Sequence, residues 1–94
     1  MRVDKWLWVA RFCKTRSFAS SLCLQEKITV NGKVADKAHF LKADDRIGVP
    51  GGRGRRMVRV IAFSDRRLSP AEAAALYEEI PPFEDSEEED SMEK

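Results

Sequence analysis

Asn31-Gly32 is the tightest constraint on how this 94-residue chain folds. An Asn-Gly pair suits a two-residue turn in which both positions take positive φ, and that turn matches the natural twist of the strands it joins. Lys27-Ile28-Thr29-Val30 leads into the pair and Lys33-Val34-Ala35 leads out, so a hairpin is expected here. Everything upstream must pack onto that hairpin. Residues 3–13 are expected to form a helix, because Val3, Trp6, Leu7, Ala10 and Cys13 recur at three- and four-residue spacing. Trp8 lies off this stripe and is read as a second packing surface. Thr15-Arg16-Ser17 breaks the pattern, with Thr15 or Ser17 as N-cap of a second helix running to about Gln25. Its expected inward face is Phe18, Ala19, Leu22 and Cys23. Two helices joined by so few residues fold back on each other.

Downstream, residues 36–46 read as a connection with Phe40 and Leu41 directed inward. Ala43-Asp44-Asp45 turns into a third strand, Arg46-Ile47-Gly48-Val49, and Met57–Ala62 alternates as a fourth. Pro50–Arg56 between them reads as a flexible basic loop. Ser69-Pro70-Ala71-Glu72 is a capping box that opens a last helix to about Glu79, with Ala73, Leu76, Tyr77 and Ile80 on its sheet-covering side. Pro81-Pro82 stops it. The expected fold is a single α+β domain, with two N-terminal helices on a small, mainly antiparallel sheet and a C-terminal helix. Residues 1–49 hold the first motif, residues 50–83 complete the same domain, and the acidic run 84–94 is expected to be disordered.

A formal charge of +1 conceals a segregation of sign. Residues 84–94 hold seven of the sixteen acids and one of the seventeen bases, leaving sixteen bases against nine acids in residues 1–83, a formal +7. A basic body points to a polyanionic partner. Cys13 and Cys23 lack zinc-site spacing, and the lone His39 does not complete such a site, so no metal is expected and the thiols are read as buried and reduced. With no signal-peptide core and no apolar run of about 18 residues, a cytoplasmic protein is expected. Catalysis is not expected either: His39 has no companion base or acid, the serines sit in no nucleophile elbow, and Gly51–Gly54 lacks the Gly-Lys-Ser/Thr ending of a nucleotide-binding loop. Asp44 and Asp45 fit turn chemistry better than metal binding.

What remains is a cationic corner. Arg2, Lys5, Arg11, Lys14, Thr15, Arg16 and Ser17 come from the first helix and its turn, where the open N-terminus of the second helix favours a phosphate. Lys27, Asn31, Lys33 and Lys37 flank it from the hairpin side. Asp4 is expected to orient its basic neighbours. The Arg53–Arg56 loop is a further candidate contact. Without a long recognition helix, such a corner suits an irregular RNA backbone better than a regular major groove. A general nucleic-acid module that includes DNA, and an adaptor docking an acidic protein, stay open as alternatives.

These residues resemble the S4 RNA-binding domain family. The likeness is carried by Arg2-Val3-Asp4-Lys5-Trp6-Leu7-Trp8, Arg11, Lys14-Thr15-Arg16-Ser17 with Ala19, then Leu22, Val30-Asn31-Gly32-Lys33 and Asp45-Arg46-Ile47. The Asp-Lys-Trp-Leu-Trp start and the Leu76-Tyr77-Glu78-Glu79 segment are similar to its branch of fifteen-kilodalton bacterial heat-shock proteins. The resemblance implies binding to structured RNA, and association with the large ribosomal subunit when translation has stalled with peptidyl-tRNA attached. It implies no cofactor, small-molecule substrate or membrane. The family usually places glycine before the first hairpin strand, whereas this chain has Gln25-Glu26-Lys27, so a different helix–strand turn is expected. A long basic C-terminal helix is usual in the heat-shock branch, whereas residues 84–94 of this chain are acidic, so a different strength or register of ribosome binding is expected.

Overall fold

Asn31 and Gly32 take φ of 54° and 86°, as a type I′ turn requires, in a computed structural model that describes residues 1–51 and 54–81. The turn joins β1 (Thr29–Val30) to β2 (Lys33–Val34), with Val30 opposite Lys33. Two-residue strands cannot hold a register alone. Asn31 supplies what they lack: its N–H donates to the Arg46 carbonyl (2.7 Å), and its Oδ1 accepts from the Arg46 N–H (2.9 Å). The hairpin is thereby clamped to β3 (Arg46–Gly51), which pairs antiparallel with β4 (Gly54–Val60). Much of the basic loop expected at Pro50–Arg56 is therefore strand, with Pro50 opposite Arg55 and Gly51 opposite Gly54. Arg53 lies outside the described residues.

Tyr77–Ile80 is a fifth strand, β5, and this corrects the long C-terminal helix. The capping box forms as expected, with Ser69 Oγ accepting from the Glu72 N–H. The helix it opens, α3 (Pro70–Ala73), lasts one turn and passes through a 3-10 turn at Ala74–Leu76. Pairing with the free edge of β4 then outweighs helix propensity. Met57 faces Ile80 and Val60 faces Tyr77, while Arg56 and Arg59 form ion pairs with Glu79 and Glu78 across the strands. The sheet order is β2-β1-β3-β4-β5, antiparallel throughout.

One face of the sheet carries the helices. Helix α1 (Val3–Val9) buries Val3, Trp6, Leu7 and Val9 against Ile28, Ile47, Val58 and Val60. Burial of each large side chain stabilises by about 1.5–3 kcal/mol. Trp6 is held in angle as well as depth, its Nε1–H donating to the Ala62 carbonyl (3.0 Å). The helix stops four residues earlier than its pattern suggests. Arg11 takes φ of 67°, and the N–H groups of Phe12 and Cys13 both turn back to the Leu7 carbonyl. That reversal still delivers Cys13 to the core. Trp8 is half-buried at the core's edge, as expected of a packing residue, with the Arg67 guanidinium 5.9 Å from its ring centroid.

Helix α2 (Arg16–Leu24) begins at Thr15, whose hydroxyl accepts from the Phe18 N–H (3.0 Å). Ala19 and Cys23 face inward and Leu22 packs partly, but Phe18 is half exposed rather than buried. At the helix–strand turn, where glycine was the expected family residue, Glu26 itself adopts φ of 62°. A non-glycine residue in this left-handed conformation carries backbone strain. The connection 36–42 runs beside the N-terminus. The Val3 N–H donates to the His39 carbonyl (2.8 Å) and the Leu41 N–H to the Met1 carbonyl (2.9 Å). Leu41 is buried here while Phe40, expected inward, is 64% exposed. Adjacent residues of an extended segment face opposite sides, so only one of the two can enter the core.

Candidate nucleic-acid interface

Asp4, in the first turn of α1, is 2% exposed and is the one buried charged residue among the described residues. Three groups converge on its carboxylate. Arg2 donates from Nε and Nη2 (3.3 and 3.1 Å), Arg16 from Nη2 (3.4 Å), and Ser20 from its hydroxyl (2.9 Å). Burial pushes the Asp4 pKa up, but the Ser20 and Arg2 hydrogen bonds and the two guanidinium charges outweigh it and hold the carboxyl below its ordinary value. One negative charge thus fixes two guanidiniums from opposite ends of the α1–α2 corner. The local sum stays positive.

Beside it lies the open end of α2. Phe18 and Ala19 N–H groups are taken by the Thr15 hydroxyl and carbonyl, whereas those of Arg16 and Ser17 have no partner within the helix. Lys14, Thr15, Arg16 and Ser17 are all exposed here. Arg11 is exposed as well, reaching from the reversal after α1 to donate to the Leu68 carbonyl (2.9 Å). Arg67 braces the same reversal from beneath, donating to the carbonyls of Trp8 (3.1 Å) and Cys13 (3.2 Å).

Arg2, Lys5 and Arg16 line one open cleft of about 600 Å³ together with Met1, Phe40, Phe63 and Asp65. The flanking residues do not all join them. Lys37 lies with Ser17 in a different, more apolar groove between α2 and β2. Lys33 and Asn31 line a third depression beside His39. The Asn31 amide is engaged within the protein, its Nδ2 donating to Asp45 Oδ1 (3.0 Å) and its Oδ1 accepting from Arg46. Lys27 is exposed, and its carbonyl accepts from Arg55 (3.2 Å). Arg55 also donates to Thr29 Oγ1, and Arg56 makes a bidentate pair with Glu79 while lying 5.0 Å from the Phe12 ring centroid. Both arginines knit strands together.

Sequence reasoning missed the aromatic rims of the cleft, Phe40 and Phe63, and the bracing role of Arg67. Charge flagged the cations, but nothing local distinguishes a phenylalanine held outward from one held inward. Cys13 and Cys23 are free and buried, and burial first of all raises each thiol pKa to about 11. Asp44 pairs with Arg59, and Asp45 Oδ2 accepts from the Lys42 N–H (2.9 Å), which are turn-stabilising roles. No cluster of three or more His, Cys, Asp or Glu side chains able to hold a metal ion occurs among the described residues. No described helix is long and apolar enough to cross a membrane.

The S4 domain family profile matches residues 1–47. The heat shock protein 15 homolog of Aeromonas salmonicida is 42% identical over 79 residues, covering 84% of this chain and 60% of that protein. Heat shock protein 15 of Escherichia coli is 37% identical over 79 residues, covering 84% of this chain and 59% of that protein. The chain therefore spans about 60% of the length of these relatives. The RQC P-site tRNA stabilizing factor of Halalkalibacterium halodurans is 36% identical over 78 residues, covering 83% of this chain and 88% of that protein. The trimeric structure of Vibrio cholerae heat shock protein 15 superposes with a TM-score of 0.84 at 32% identity, covering 100% of this chain and 96% of that one.

Proposed function

The chain belongs to the S4 domain family, and from that premise we propose that it binds structured RNA of the ribosome, without catalysis, through the face built on Asp4. The observation that carries the reading is the gathering of Arg2, Lys5 and Arg16 around one cleft beside the open N-terminus of α2. Arg2 donates to Asp4 from Nε and Nη2 and Arg16 from Nη2 alone, which leaves the other guanidinium N–H groups to reach a phosphate. Lys5, Lys14 and Arg11 widen the patch, and the N–H groups of Arg16 and Ser17 offer donors to a phosphate oxygen. Lys27, Lys33 and Lys37 are outlying contacts from the hairpin side, with Asn31 holding that hairpin in place. The target is large-subunit ribosomal RNA, with peptidyl-tRNA on a stalled ribosome as its neighbour, and the site of action is the cytoplasm. The name of one relative, an RQC P-site tRNA stabilizing factor, supports the tRNA part of this reading.

The test is crosslinking and capture of the tagged chain from bacterial lysate, with sequencing of the bound RNA and a salt titration of the purified protein. Enrichment of large-subunit RNA is expected. A log–log salt slope of about −3, the value for some four phosphate contacts, is expected as well. Reversal of Lys5 and Lys14 to Glu, neither of which holds an ion pair within the described protein, should lower affinity at least tenfold and flatten the slope. A folded double variant that binds as tightly as the parent overturns this surface.

A further inference from the structure

Phe40 and Phe63 are 64% and 39% exposed, and both line the cleft that holds Arg2, Lys5 and Arg16. Each ring stands on backbone that cannot easily turn it inward. Phe40 bridges Arg2, between two backbone hydrogen bonds that pin His39 to Val3 and Leu41 to Met1, and its neighbour Leu41 already fills the core. Phe63 follows Ala62, whose carbonyl accepts from Trp6 Nε1 (3.0 Å) and whose N–H donates to the Leu76 carbonyl (3.2 Å). The protein therefore fixes two apolar rings in water beside three cations. A double helix has little use for such rings, because its base faces are hidden by stacking and only base edges, sugars and phosphates reach the surface. An unpaired nucleotide offers a flat base and phosphates together, and base–aromatic stacking is indifferent to base identity. Asp65 on the same lining repels phosphate and can accept from a base amino group.

We propose that the cleft lined by Phe40 and Phe63 receives one unstacked nucleobase of the bound RNA, with the adjoining phosphates on Arg2, Lys5 and Arg16. The inference rests on the RNA-binding reading and sharpens it, from structured RNA in general to RNA presenting an unpaired base. An apolar segment of a partner protein matches the rings but not Arg2, Lys5 and Arg16, which outnumber Asp4 and Asp65, and the remaining positive charge favours the nucleotide.

Fluorescence anisotropy with two RNAs of equal length separates the possibilities, one a stem-loop with an unpaired loop and the other a blunt duplex. The variants are Phe40→Leu and Phe63→Leu, which keep apolar bulk and lose the ring, and Phe40→Tyr, which keeps the ring. Circular dichroism melts establish that each is folded. The leucine variants should bind the stem-loop roughly tenfold to a hundredfold more weakly, leave the duplex unchanged, and keep the salt slope, while the tyrosine variant binds as the parent does. Equal losses on both RNAs, or none on either, overturn the stacking site; the second result would leave the rings to a protein partner. A parent chain that binds neither RNA overturns the RNA reading itself, a different outcome from a parent that binds the stem-loop while the leucine variants match it.

Discussion

Asp4 shows how one side chain links folding to the proposed surface. Its folded pKa lies below the unfolded value, so its contribution to stability is complete above about pH 4 and fades as pH falls through the lower folded value. Asp4→Asn keeps the shape but removes the charge that Arg2, Arg16 and Ser20 satisfy. A loss of roughly 1–3 kcal/mol is expected at neutral pH, shrinking toward pH 3, read as converging thermal midpoints of parent and variant. A gap that stays constant with pH would assign the cost to packing instead. Glu26 offers the opposite case. A non-glycine residue at φ of 62° is strained, and the position is exposed. Glu26→Gly relieves that strain at some cost in unfolded-chain entropy, for a net gain of about 0.5–1 kcal/mol and a rise of a few degrees in melting temperature. The buried thiols make a third expectation. With pKa values near 11, Cys13 and Cys23 should ignore a thiol reagent at pH 8 in the native protein and react together once it is unfolded.

Among the elements, those whose signals are local were legible in the sequence. Asn31-Gly32 wrote the hairpin, Thr15 and Ser69 wrote their caps, and the Val3–Leu7 stripe wrote the buried face of α1. Elements decided by distant partners were not. Tyr77-Glu78-Glu79-Ile80 reads as helix until Arg56, Arg59 and the edge of β4 are in place to claim it. Arg11 ends α1 without a glycine because Leu7 accepts two N–H groups from the reversing chain. The site divides the same way: the cations were visible as charge, whereas the outward set of Phe40 depends on Leu41 filling the core. Sheet packing supplies its own test at Gly48. Arg55 crosses β3 there to reach Thr29, and a Cβ on Gly48 would stand 2.5 Å from Thr29 Oγ1 and 2.8 Å from Arg55 Nη2. Gly48→Ala should cost about 1–3 kcal/mol in chemical denaturation. Pairing it with Arg55→Ala should recover part of that loss, because the guanidinium is one of the two clashing groups.

At the scale of the whole chain, charge segregation has consequences that no single contact contains. Residues 84–94, outside the described residues, carry seven acids and one base against the basic body's +7. An acidic run tethered to a cationic surface is present at high effective concentration, so on the proposed reading it is expected to compete with RNA for the same groups. Deleting residues 84–94 should therefore tighten RNA binding several-fold at low salt, mainly through faster association. The advantage must fade with ionic strength, since the screening length falls from about 10 Å at 0.1 M salt to about 3 Å at 1 M. Affinities of full-length and shortened chains across that range are the measurement. Parallel curves at every salt would mean that the run acts through something other than charge. Coincident curves would mean that it does not act on this surface. Curves that converge as salt rises would make the acidic run a built-in competitor, setting how strongly polyanionic an RNA must be before it displaces the chain's own acids.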